Sequence, residues 1–148
     1  MLPEFCDGLN LPAGGHRATW TEIKERFGVG TERRILLAER LLELLKQASH
    51  CGFRKVVFWG SFVTAKEEPG DFDLLWVLEK GLDQKSLSTG CQELLDASRS
   101  RERFGCDVLV CEDESTFLDF FISPDTGLGY DPVARKPRGL VILHMEDL

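Results

Sequence analysis

From Glu32 to about Ser49 the apolar residues Ile35, Leu36, Leu37, Leu41, Leu42, Leu44, Leu45 and Ala48 recur at helical spacing, with Glu39, Arg40, Glu43 and Lys46 on the other face. Such a stripe buries one side of a helix and hydrates the other, so the pattern predicts an amphipathic helix there. Upstream, Thr19-Trp-Thr-Glu22 has the spacing of a capping box and opens a shorter helix over Thr21–Phe27, stopped by Gly28 and Gly30. Four short apolar runs have strand character: Lys55–Trp59, Phe72–Leu78, Cys106–Cys111 and Gly139–His144. The stretch from Asp83 to Arg103 is polar and helix-compatible, with Leu87, Cys91, Leu94, Leu95 and Ala97 as its apolar members. Glu114–Phe121 reads as one more helix, whose Phe117, Leu118, Phe120 and Phe121 serve as a core face or a partner patch.

The element order is α-α-β-α-β-α-β-α-β. It predicts an α/β or α+β domain over residues 19–148, with a mixed sheet of about four strands flanked by helices. Residues 1–18 hold two prolines and several glycines with little periodicity, and read as an N-terminal arm. A chain of 148 residues has room for one core. It carries no stretch like a secretory signal and no apolar run near the ~20 residues that span a bilayer, so the expectation is a soluble, cytoplasmic protein without membrane contact.

Charge narrows the candidate partners. With 25 acidic and 18 basic residues the formal net charge is −7. That balance repels a phosphate backbone at long range and disfavours a long nucleic acid as substrate. Local basic runs at Lys24, Arg26, Arg33, Arg34 and Arg40, and at Arg99, Arg101 and Arg103, read as solvated helix faces, with a local basic patch as the alternative. Cys6, Cys51, Cys91, Cys106 and Cys111 form an odd set without a C-x-x-C pair, which predicts buried free thiols and neither a disulfide framework nor a zinc site. His16, His50 and His144 are isolated, with no ligand partner at metal spacing.

Three features fall where they can act together. Gly60-Ser61 ends one strand, Asp71 and Asp73 open the next, and Asp107 lies inside a third. Residues two apart in extended chain share a face, so Asp71 and Asp73 present paired carboxylates, to which Asp107 adds a third. Carboxylates set among apolar residues need their charge balanced. Mg²⁺ (or Mn²⁺) provides that balance, since it takes hard oxygen ligands from one or two carboxylates and the phosphates of a nucleotide. Gly60 admits a close phosphate, and Ser61 adds a hydroxyl and a backbone N–H. Thr64 and Lys66 lie between the two motifs as further phosphate-binding candidates, with exposed loop positions as the alternative. Trp59 and Trp76 read as core packing, or as a surface on which a base stacks.

The stretch Trp59-Gly-Ser-Phe-Val-Thr-Ala-Lys-Glu-Glu-Pro-Gly-Asp-Phe-Asp-Leu-Leu75 resembles the signature of the DNA polymerase beta-like nucleotidyltransferase superfamily: a hydrophobic strand, Gly-Ser, about ten residues, then two aspartates alternating with hydrophobic residues. Asp107 falls where that superfamily carries its third carboxylate. The Gly-Ser-Phe-Val-Thr, Pro-Gly-Asp-Phe-Asp and Lys136-Pro-Arg-Gly-Leu-Val-Ile142 segments are similar to short bacterial proteins related to minimal nucleotidyltransferases, some of which serve in toxin–antitoxin pairs. The resemblance implies a nucleotidyltransferase fold, with Asp71 and Asp73 holding metal, Asp107 as third ligand or base, and Gly60-Ser61 on the nucleotide phosphates. It implies transfer of a nucleotidyl group from an NTP to a hydroxyl of a protein or small-molecule acceptor. The alternative is a non-catalytic protein of the same fold that acts by binding a partner chain, as a toxin–antitoxin component does.

Overall fold

The computed structural model describes residues 1–112, 130–131 and 136–148. Two helices lead the chain into its sheet. The first, α1 (Trp20–Phe27), starts at a complete capping box: Thr19 accepts from the Glu22 backbone N–H, and the Glu22 side chain accepts from Thr19. Its successor α2 (Glu32–Ala48) buries Arg34, Leu37, Ala38, Leu41, Leu44, Leu45 and Ala48. Those positions follow the i, i+3, i+4, i+7 rule from residue 34. The rule leaves Ile35 and Leu36 off the stripe and exposed, although both were expected on the apolar face. It also draws Arg34 inward, where a solvated basic face was expected.

The main sheet has five strands rather than four. Its order is β1-β7-β2-β3-β4, from β1 (Gly14–Arg17), β2 (Phe53–Trp59), β3 (Asp73–Leu78), β4 (Asp107–Cys111) and β7 (Gly139–His144). The outer pairs β1–β7 and β3–β4 are parallel, and β2 is antiparallel to both neighbours. A two-stranded ribbon, β5 (Tyr130–Asp131) with β6 (Lys136–Pro137), stands apart. The extra main-sheet strand comes from the N-terminal segment expected as an arm, too short and glycine-rich to show a strand pattern. That segment is tied into the fold. Leu2 and Leu11 are buried, and Gly139 N–H donates to the Leu11 carbonyl at 3.1 Å. A Cβ on Gly139 would stand 2.3 Å from the Pro12 carbonyl oxygen, so the close approach of arm and β7 requires glycine.

Alternation along β2 and β3 builds two cores. Val56, Phe58, Leu74, Trp76 and Leu78 face the helices, whereas Val57, Trp59, Leu75 and Val77 pack on the opposite face. Trp76 is fully buried and donates its indole N–H to the Leu94 carbonyl at 3.2 Å. Between β3 and β4 the expected helical stretch is split into α3 (Thr89–Leu95) and α4 (Ala97–Phe104), because Asp96 ends one helix and caps the next. The helix that the element order placed between the first two expected strands is a single 3-10 turn, Ser61–Val63. The helix expected at 114–121 lies outside the described residues. Among the described residues no helix is long and apolar enough to cross a membrane.

The cysteine reading is corrected. Cys51, just after α2, and Cys91, in α3, form a disulfide 40 residues apart in sequence. Cys106 and Cys111 are free and buried, and Cys6 is free and exposed. The packing of α3 beside the end of α2 makes the pair, and no sequence spacing reports that. Closing a loop of this length restricts the unfolded chain, so reduction should cost about 2–4 kcal/mol of stability. Denaturant unfolding with and without reductant measures the loss, and recovery of Cys51 and Cys91 as free thiols from unreduced protein would refute the pairing.

Candidate functional site

Strand register brings the site together. Trp59 pairs with Asp73 across β2–β3, and Asp73 pairs with Asp107 across β3–β4, so the three stand in one row at the same edge of the sheet. By alternation Asp73 belongs with Leu75 and Val77, on the face away from the helices. Asp71 precedes β3, and between the two aspartates Phe72 turns into the helix-side core, fully buried. One carboxylate oxygen from each of Asp71, Asp73 and Asp107 lies within 4.8 Å of the others.

That crowding shows in their acidities. Burial, then the charges of Asp71 and Asp107, push the Asp73 carboxyl up to about 7. Asp71 is also raised, first by burial and then by Asp107. One cation meets the cluster from α4, where the Arg101 guanidinium donates to Asp107 in a half-exposed ion pair. Arg33 also acts on Asp71 through its charge, and the two guanidiniums leave the three carboxylates in excess. The adjacent Cys106 thiol is pushed up to about 12, mainly by burial, and is no nucleophile at neutral pH.

The Gly60-Ser61 turn lies against the same carboxylates. Gly60 has φ +82°, and a Cβ there would come within 2.4 Å of Asp73 Oδ2. Glycine is therefore required both by the backbone and by the neighbouring carboxylate. Beyond it an open cleft of about 450 Å³ is lined by Trp59, Gly60, Ser61, Thr64, Lys66 and Asp73, joined by Leu9 and Asn10 of the N-terminal segment and by Arg138. Its volume is that of a small-molecule site, roughly 300–1,000 Å³. Every residue read from the sequence as phosphate-binding lines this cleft, and Asp71 and Asp107 flank it through Asp73. Thr64 lies in the wall with its hydroxyl committed to the loop: it donates to the Ser61 carbonyl at 2.6 Å and accepts from the Lys66 N–H at 3.2 Å. Trp59 is 6% exposed, so core packing dominates while one edge reaches the cleft.

Sequence reasoning missed Asn10, Arg34 and Arg138, and it assigned Arg101 to a solvated face. Asn10 and Arg138 come from segments distant in sequence: Asn10 meets the cleft through its bridge to Thr64, beside the bond from the Ala65 N–H to the Leu9 carbonyl, and Arg138 stands just ahead of β7. For Arg34 a signal existed: it is in phase with Leu37, Ala38 and Leu41, the buried positions of α2.

A family model described as a family of unknown function (DUF6932) matches residues 3–143, and the chain belongs to that family. No curated protein and no solved structure matches it.

A proton held by Asp73 up to about pH 7 is bound more tightly by the folded than by the unfolded chain. Metal-free protein should therefore lose stability as pH rises from about 4 to about 7, where the folded state carries the extra proton at first and then gives it up. Asp73→Asn should flatten that decline and raise the melting temperature at pH 8 by about 3 °C, near what ~1 kcal/mol gives a domain of this size. Parallel melting curves in chelator at pH 5 and pH 8 check this; equal pH dependence in both proteins would show that neither burial nor its neighbours raise the Asp73 carboxyl.

Proposed function

We propose that this member of the DUF6932 family has a nucleotidyltransferase fold, binds a nucleoside triphosphate with Mg²⁺ or Mn²⁺, and transfers its nucleotidyl group to a hydroxyl. The observation that carries the reading is the convergence of three carboxylates, drawn from two strands and the approach to one of them, beside a glycine turn that lines a cleft. The donor set fits a hard divalent cation, being all oxygen, more numerous than the arginines Arg101 and Arg33 that act on it, and open to the cleft through Asp73.

In this reading Asp71, Asp73 and Asp107 hold the metal. When bound, it neutralises phosphate charge and favours in-line displacement at the α-phosphorus. Gly60 lets the phosphates approach, and Ser61 and Lys66 bind them from the cleft wall. The acceptor oxygen forms a bond to the α-phosphorus as the bond to the pyrophosphate oxygen breaks. Asp107, half exposed, takes the hydroxyl proton. The reading places the protein in the cytoplasm, where nucleoside triphosphates are abundant; the Cys51–Cys91 bond, rare in reducing compartments, argues against that placement.

A second reading has one observation in its favour. Val29, Ile35 and Leu36 are exposed apolar residues around the start of α2, and such residues suit contact with a partner chain. A protein that only binds a partner and one that nucleotidylates it share this surface, and they differ in chemistry.

Thermal melting with each NTP, with and without Mg²⁺, tests the site. A ligand bound only by the folded state at a hundredfold excess over its Kd stabilises by about 2.7 kcal/mol. Wild type should show a metal-dependent rise that Asp71→Asn/Asp73→Asn loses, and α-labelled NTP should pass its label to an acceptor only with the wild type. The absence of any nucleotide shift, together with a stable protein partner that co-purifies, would replace the enzyme by the binding protein.

A further inference from the structure

Arg34 occupies the first turn of α2, where the helix dipole disfavours a cation, and is 6% exposed. Burying a guanidinium is costly unless its donors are used. Here all its hydrogen-bond partners are backbone carbonyls: Phe27 and Phe62, each at 2.9 Å, Thr64 at 2.7 Å, and Lys66 at 2.6 and 3.2 Å. It stacks within 5.8 Å of the Phe62 ring. Burial alone lowers its pKa, with no carboxylate contributing, and arginine stays charged regardless.

Three of those carbonyls belong to the Phe62–Lys66 segment, whose Thr64 and Lys66 line the cleft next to Ser61. The neighbouring residues extend the same hold. Thr31 donates its hydroxyl to the Glu67 carbonyl at 3.3 Å, and Arg33 donates to the carbonyls of Pro69, at 3.1 Å, and Gly70. The start of α2 thus grips the chain from just after the Gly60-Ser61 turn to just before Asp71. A buried charge facing only carbonyl dipoles does little for stability that an apolar side chain would not do better. It does fix a loop, and it leaves positive charge behind that loop.

We propose that Arg34 is the positioning residue of the cleft's phosphate-binding wall: its guanidinium fixes the Phe62–Lys66 backbone so that Ser61 and Lys66 meet the phosphates of a nucleotide. The inference rests on the nucleotide reading above for its ligand, and on the hydrogen bonds alone for its loop. Lysine cannot replace the planar fork, because its three donors on one nitrogen do not span four carbonyls.

Amide hydrogen exchange, Mn²⁺ affinity by electron paramagnetic resonance and Mg–NTP affinity by calorimetry, on wild type, Arg34→Lys and Arg34→Met, test it. In both variants exchange over residues 61–66 should rise about tenfold or more while residues 74–77 stay protected, because each charge-assisted hydrogen bond lost is worth a factor of that order. Mn²⁺ affinity should stay within about twofold, and NTP affinity should fall about tenfold. Unchanged exchange at 61–66 overturns the proposal. So does protection lost throughout the chain with Mn²⁺ and NTP affinity falling together, which is general destabilisation. Selective loosening of 61–66 in a protein whose wild type binds no NTP supports the hold on the loop and overturns the nucleotide reading.

Discussion

Asp73 and Asp107 stand side by side because β3 and β4 pair in parallel without a slip, and Trp59 stands beside Asp73 because β2 keeps the same phase. Shifting either pairing by one residue would send a carboxylate into the helix-side core and an apolar residue out of it. Burial on both faces sets the register: Phe58, Leu74 and Trp76 fill one core while Val57, Leu75 and Val77 fill the other. Each such side chain contributes about 1.5–3 kcal/mol when fully buried. The strands therefore hold their acidic ends together against burial and mutual repulsion, which between them lift Asp73 to about 7.

The same core reaches the loop that faces those acidic ends. Phe27 packs on Phe62, and Phe62 meets Phe72 edge-on at 6.4 Å. Phe62 follows the Gly60-Ser61 turn, and Phe72 separates Asp71 from Asp73. One aromatic contact therefore links the glycine turn to the aspartate pair, and Arg34 holds the backbone between them from behind. Two hydrophobic anchors and one buried cation fix the distance between the cleft wall and the carboxylates. Under the proposed function, that fixed distance would hold a metal and a phosphate in one geometry.

Helices and strands with strong local patterns were legible. The Thr19–Glu22 box, the long stripe of α2 and the apolar runs of β2, β3, β4 and β7 each carry their signal within a few residues, and local signals survive folding. What escaped the reading was non-local. Residues 14–17 become a strand only because β7 offers them an edge. Cys51 and Cys91 become a pair only because α3 packs near the end of α2. The acidic residues of the site were legible because Gly60-Ser61 and Asp71-x-Asp73 are close in sequence. Arg34 and Arg138 were not, since each enters through an element with its own ordinary explanation. A helix stripe that includes an arginine at a buried phase is the one clue that was overlooked.

The charge distribution now separates two ranges that the net value merges. At −7 the whole chain repels an approaching extended polyanion, the more so at low salt, where screening is weak. Inside the cleft the balance is local: Lys66 and Arg138 line its wall, and Arg34 lies behind the loop that carries Lys66. Opposite them stand three carboxylates, countered among the described residues by Arg101 and, at Asp71, by Arg33. A bare anion would be drawn to the first wall and rejected by the second, and a bare cation the reverse. The proposed ligand, a compact anion that brings its own divalent cation, would satisfy both, because its charge is already divided in the way the cleft divides its own.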